Sequence, residues 1–309
     1  MSDFEPFYDV KHSYEDNYEQ GPFGAFAEAL KATPSVTSGD SSPYEGEPGK
    51  KTSAGAEEKP EEKTAVGAEG EPAGSTFLGQ PVNLPFGIPA GPLLNSRFTT
   101  AAFRMGFDLA TYKTVRSRAW GCNPFPNVLA VHPKSADGSL TPGSAELDEG
   151  VLADTDYEQP ISISNSFGVP SQSPDVWQPD MRAAIAAAGL GQVLVPSFQG
   201  SRVEGMSEEE YIADHATTAR LIKETGAKLM VMNTSCPNEG HNRLLCHNPL
   251  LVGRITEAVK NEIGDIPLMV KLAYIPSDDD LELMVRSTVG HGTVQGFSTI
   301  NTISAKLVD

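Results

Sequence analysis

Cysteine is scarce in this chain, and so are basic clusters and long apolar runs. Only Cys122, Cys236 and Cys246 occur in 309 residues, an odd number with no CxxC pair, which argues against a disulfide framework and for a reducing, cytoplasmic setting. No stretch reaches the roughly 18 consecutive apolar residues that span a bilayer, and MSDFEPFYDV has neither a basic start nor an apolar h-region, so no membrane association is expected. Lys and Arg number 23 against 41 Asp and Glu, a formal charge of -18, and no basic run is present to release counterions from phosphates. Nucleic acid is therefore not an expected partner. Hydrophobic residues make up 39%, low for a compact body of this size, so part of the chain is expected to lie outside a core.

That part is readable. Residues 33–76 are crowded with Gly, Pro, Ser, Glu, Lys and Ala and have almost no large apolar side chain, too little to offset the entropy of ordering; they are expected to be a disordered acidic insert. Residues 1–32 are aromatic-rich (Phe4, Phe7, Tyr8, Tyr14, Tyr18, Phe23, Phe26), which predicts a segment docked on the body. From residue 77 to 309 short apolar runs alternate with amphipathic stretches in βα order. The runs lie at 84–90, 108–114, 192–198, 228–235, 267–273 and 295–302, most of them apolar enough to be buried on both faces. Between them, 207–226 reads as a helix: Ser207 caps it, acidic residues fill the first turn, and Gly226 stops it.

A doubly wound sheet and a TIM barrel share this alternation. Nearly every run here ends in a polar or glycine signature, as a barrel requires when its site is built from many strand ends, whereas a doubly wound sheet concentrates such residues at one crevice. An α/β fold of the TIM (β/α)8 type is favoured. With six of eight strands in view, where a barrel takes about 250 residues, the chain is expected to be incomplete at its C-terminus.

The sharpest cluster is NTSCPNEGHN (233–242), which places a thiol, a hydroxyl and carboxamides on one strand-to-loop junction. Such a loop suits a polar planar ligand, and a cysteine there can act as a base toward a C–H acidified by a neighbouring carbonyl. Each also has a plainer reading: Cys236 as a buried structural thiol, Asn165 and Asn238 as turn-formers, and Lys113 and Lys271 as solvated strand ends, the last disfavoured because a lysine closing an apolar strand has nothing else there to satisfy its charge. Cys236, His241, Cys246 and His247 match no common zinc spacing, and no metal is expected.

NTSCPN after a strand resembles the AsnXaaSerCysProAsn loop of the soluble dihydroorotate dehydrogenases. YKTVRSR (112–118), CNPFPN (122–127), SNSFGVPS (164–171), MVKLAYIPSD (269–278) and FSTINT (297–302) are similar, in order, to further motifs of that family. The resemblance implies an FMN enzyme of de novo pyrimidine synthesis that oxidises dihydroorotate to orotate. Cys236 would be the base that removes the C5 proton while the C6 hydride passes to flavin N5, and a cysteine rather than a serine points to the soluble class. Lys113, Asn165, Phe167, Gly168, Val169, Asn233, Asn238, Asn301 and Thr302 would bind the substrate. Ala90, Gly91, Lys113, Thr114, Asn233, Lys271 and Asn301 would hold the flavin. Fumarate is the expected electron acceptor, and a homodimer is compatible with the resemblance.

The chain also departs from that family. Pro89-Ala90-Gly91 stands where Ala-Ser-Gly is common, Phe167 and Val169 replace Met and Leu, and the glycine-rich turns that hold the FMN phosphate are not in the sequence. Two other readings stay open: a dihydropyrimidine dehydrogenase-like flavin domain, and a barrel remnant without catalysis.

Overall fold

The structure, a computed structural model, describes residues 6–31, 74–135, 138–157, 162–235 and 244–309. Residues 33–73 of the expected insert, together with Cys236 and Asn238, lie outside the described residues. Helices α1 (Tyr14–Gln20) and α2 (Gly24–Lys31) precede a hairpin of β1 (Ser75–Phe77) and β2 (Gln80–Val82). Next come β3 (Gly87–Ile88), α3 (Ser96–Arg104), β4 (Leu109–Val115), β5 (Ala130–His132), α4 (Glu146–Glu149), β6 (Val151–Asp154), β7 (Ser162–Ile163) and α5 (Pro174–Ala186). They are followed by β8 (Val193–Phe198), α6 (Glu208–Lys223), β9 (Met230–Asn233), α7 (Pro249–Ile263), β10 (Leu268–Lys271), α8 (Asp278–Ser287), β11 (Gly296–Ser298) and β12 (Leu307–Val308).

All six expected apolar runs become strands of one parallel sheet, in the order β11-β10-β9-β8-β4-β3. Spatial order follows chain order throughout, without the reversal that creates the crevice of a doubly wound sheet, so the architecture is that of the TIM barrel. Every strand is shorter than its apolar run or offset from it by a residue, for local reasons. Pro85 and Pro89 bracket β3 and have no N–H to give the ladder. A Cβ on Gly87 would stand 1.9 Å from the Leu109 carbonyl oxygen, so only glycine allows β3 to pair here. Pro196 lies inside β8, and the register with β4 shifts between Tyr112 and Val115, where a ladder bond is missing. Thr114 Oγ1 and Ser197 Oγ, 2.8 Å apart, bridge the two strands at that gap.

Side chains alternate across the sheet. Ala110, Tyr112, Leu194, Met230, Met232, Leu268 and Val270 pack with the covering helices into the main core. On the other face Val195, Val231 and Met269 meet Phe77 and Leu78 of the hairpin, which covers the amino ends of the strands. Ser75 and Thr76 thus belong to a strand, although composition put them in the insert. α6 begins with the capping box that its sequence predicts, Ser207 with Glu210, and Gly226 follows it at φ +91°.

The second sheet was not anticipated. β12, β6, β5 and β7 form it, with Val131, Val151 and Ala153 as its small core. Its strands have two to four residues, too short for periodicity to register. The sheet nevertheless sets the site, because the pairing of β5 with β7 continues into the flanking loops. Ser164 N donates to Leu129 O, Ser166 N to Asn127 O and Asn123 N to Phe167 O (2.9, 2.9 and 3.0 Å), while Trp120 and Ser171 exchange two bonds. Residues 164–171 are therefore clamped along 120–129.

The N-terminal helices lie on α3. Tyr14 and Phe26 are buried in the main core. Arg97 donates to the carbonyls of Tyr18, Glu19 and Gln20 at the end of α1, and Arg104 to those of Ala29 and Leu30 at the end of α2. Two arginines of one helix thus satisfy carbonyls that helix termini leave without partners. Among the described residues no helix is long and apolar enough to cross a membrane.

Candidate active site

Strand carboxyl ends converge in a parallel barrel sheet, and the polar ends noted in the sequence converge here on one cleft of about 220 Å3. β4 contributes Lys113 and Thr114, β9 contributes Asn233, and β10 contributes Lys271. Ala90 and Gly91 enter from the turn after β3, and Asn301 and Thr302 from the segment after β11. The clamped loop supplies Asn165, Phe167, Gly168 and Val169. Twelve of the fourteen residues singled out from sequence line this cleft; the other two, Cys236 and Asn238, are outside the described residues.

Three lining residues were not singled out: Asn123, Ser166 and Ser235. Each sits inside a stretch already quoted, next to or between residues read as functional, and the signal was their position in those motifs. Asn301 is not part of a strand, as the run 295–302 suggested; β11 ends at Ser298, and Asn301 is held by its N–H to Leu272 O (3.0 Å).

The lining is rich in carboxamides and has two lysines. Lys113 is 8% exposed. Lys271 is half-buried, and burial lowers its pKa with no opposing charge contributing, so its ammonium favours an electron-rich neighbour. Asn301 Nδ2 donates to Ser235 Oγ over 2.6 Å, joining the segment after β11 to the end of β9. Below the cleft a second space of about 360 Å3, lined by Ile88, Leu109, Val195, Val231, Met269 and Phe297 among others, shares Ala90 and Lys271 with it. A planar group with one apolar face and one hydrogen-bonding edge suits that junction. Gly91, at φ +143° with open space where a Cβ would stand, lets backbone approach such a group. Burial pushes Cys122 up to about 11, helped by the charge of Glu15, and burial also raises Cys246, so both remain thiols at neutral pH.

No model of a known protein family matches the chain. Dihydroorotate dehydrogenase of Dictyostelium discoideum is 32% identical over 312 residues, covering 98% of this chain and 73% of that protein. The catalytic subunit of dihydroorotate dehydrogenase B (NAD(+)) from Enterococcus faecalis strain V583 is 30% identical over 183 residues, 59% of this chain and 51% of that subunit. The ligand-free DHODH of Eimeria tenella superposes with a TM-score of 0.52 at 18% identity, over 72% of this chain and 60% of that one. The same enzyme in complex with ferulenol gives 0.54 at 17%, over 72% and 58%. The chain thus spans about half the length of the bacterial subunit and under two thirds of the solved structures, whose likeness speaks for the fold alone. Identity that runs along almost the whole chain, and over most of the Dictyostelium protein, adds to this: the chain belongs to the dihydroorotate dehydrogenase family.

Proposed function

We propose that the cleft binds dihydroorotate and oxidises it to orotate, as a step of pyrimidine synthesis, with FMN seated at the junction of the cleft and the apolar space below. The observation that carries this reading is the convergence on one cleft of twelve residues chosen from six separate motifs. FMN, when bound, supplies the hydride acceptor. Ala90, Gly91, Thr114 and Lys271 would hold it, the desolvated ammonium of Lys271 offsetting the charge that the ring gains on reduction.

The chain's own groups then have the remaining tasks. Asn165, Asn233 and Asn301 offer both donors and acceptors to the ring edge of a pyrimidine. Lys113 offsets the substrate carboxylate, and its burial strengthens that attraction. Phe167, Gly168 and Val169 close over the ring. Cys236 takes the C5 proton as the C6 hydride leaves, so that the C5–C6 double bond forms with the electrons balanced. Fumarate as acceptor and a cytoplasmic location belong to the same proposal.

The test is to record the flavin absorption of the protein while dihydroorotate is added without oxygen, with Cys236→Ser alongside. Bleaching of the wild type, and bleaching slowed by about 100-fold or more in the variant, are expected, since losing a general base costs about 10²–10⁴ in rate. Bleaching by dihydrouracil alone would replace the substrate assignment with a dihydropyrimidine. Equal rates in both proteins would remove Cys236 from the role of base.

A further inference from the structure

One wall of the cleft contains a run of polar groups whose hydrogen-bond direction is set from one end. Arg116, 3% exposed, follows β4; its Nε donates to the Val169 carbonyl (3.0 Å) and its Nη1 to that of Gly200 (2.7 Å). The same guanidinium lies 2.6 Å (Nη2) and 3.2 Å (Nη1) from the outer atom of the fully buried Gln199 carboxamide. A guanidinium only donates, so that atom is the Gln199 oxygen. The Gln199 nitrogen then faces Asn233 at 2.7 Å and requires an acceptor there, which is the Asn233 carboxamide oxygen. Asn233 is thereby turned so that its nitrogen donates to Ser235 Oγ, 2.9 Å away. Asn301 Nδ2 donates to the same oxygen. With Asn233 and Asn301 both donating, the Ser235 hydroxyl proton is left, among the described residues, to point into the cleft that Ser235 lines.

We propose that Arg116 and Gln199 are positioning residues: they fix the Asn233 carboxamide in one orientation and so make Ser235 a hydrogen-bond donor to an acceptor oxygen of the bound ligand. Through Val169 the same arginine ties the clamped loop to this wall, so loop and donor are set by one buried cation. The inference deepens the reading of the cleft as a pyrimidine site and rests on it for the ligand. The direction of the hydrogen bonds rests only on the chain.

Gln199→Glu separates orientation from packing. The introduced carboxylate keeps Arg116 paired and is nearly the same shape, but it accepts on both sides. Asn233 must turn its nitrogen toward it, its oxygen then faces Ser235, and the hydroxyl proton is drawn away from the cleft. Calorimetry with orotate is expected to show a dissociation constant about 10- to 100-fold higher, the loss of one hydrogen bond to a charged ligand, with no fall in the unfolding temperature. Ser235→Ala should weaken orotate to a similar degree, and the double variant no further than either single one. Unchanged affinity in Gln199→Glu, or independent losses that multiply in the double variant, would overturn the proposal. Neutron diffraction of the deuterated protein reads the same point without a ligand. A Ser235 deuteron directed into the cleft supports the proposal, and one directed at Asn233 overturns it. If the wild type gives no heat with orotate while the deuteron points into the cleft, the pyrimidine reading fails and the positioning role stands.

Discussion

Lys113 Nζ lies 6.0 Å from the centroid of the Phe167 ring, so the buried ammonium at the end of β4 rests against an aromatic face presented by the clamped loop. Tyr8 and Tyr14 meet the same ring edge-on, at 5.9 and 6.1 Å between centroids. The N-terminal segment therefore supports the loop at the point where the loop supports the lysine. Phe167→Leu keeps the bulk and removes the ring quadrupole. It is expected to cost about 1–2 kcal/mol in urea unfolding, the sum of one cation–π contact and the aromatic pairs, and to raise the orotate dissociation constant severalfold. An unchanged unfolding midpoint would mean that the ring acts as a spacer only.

Arg97 and Arg104 hold the N-terminal helices from a single helix, α3, by capping their last carbonyls. Replacing both by alanine is expected to remove about 1–2 kcal/mol of local stability, because each loses several exposed hydrogen bonds whose carbonyls water then takes up. Limited proteolysis should then cut near residues 6–31 well before the barrel sheet, and the fragment should bind orotate less tightly because Phe167 loses Tyr8 and Tyr14. Equal protease resistance in the double variant would show that burial of Tyr14 and Phe26 alone suffices.

The sheet was legible because its strands are apolar on both faces, so the runs at 192–198 and 228–235 stand out whatever their partners. The cleft was legible because residues such as Lys113, Asn233 and Lys271 close apolar strands, where burial makes a polar group costly unless it is used. Three features escaped, each for a physical reason. Strands as short as Ser162–Ile163 leave no period to detect. Ser75 and Thr76 have the composition of the insert but pair through backbone groups that any residue carries. The link from Arg116 through Gln199 to Asn233 joins the ends of three strands, and nothing in the local sequence of any one of them announces the other two.

His215 is fully buried in α6, and its Nδ1 lies 3.0 Å from Tyr211 O, so Nδ1 carries the proton and Nε2, which has no partner among the described residues, is the unprotonated nitrogen. Burial, with the charge of Arg116 adding to it, lowers its pKa to about 4 against the pull of the Tyr211 carbonyl and Asp214. The unfolded chain, with a histidine near 6.5, binds the proton more readily than the folded one between these values. This contribution to stability is complete above about pH 6.5 and declines as the pH falls toward 4, by about 3 kcal/mol in all. Denaturant titrations between pH 7 and 4 should show that slope in the wild type and a shallower one in His215→Gln. Parallel curves would place the acid sensitivity in other groups.

Gly168 tests whether the loop's conformation or its contacts matter more. It has φ +74°, and a Cβ there would lie 2.7 Å from Asn123 Oδ1, whose Nδ2 donates to Ser166 O. Gly168→Ala faces two penalties, about 1 kcal/mol for a left-handed backbone without glycine and a further cost for displacing Asn123. Of the loop, Phe167 packs against the main core while only partly buried, so the unfolding temperature should fall by only a few degrees, while orotate affinity is expected to drop by about 100-fold as Phe167 and Val169 leave the cleft. Adding Asn123→Ala makes room without changing φ. If the double variant regains most of the affinity, the clash with Asn123 was the larger of the two penalties; if it stays as weak as Gly168→Ala, the left-handed backbone at residue 168 is what positions the loop over the ligand.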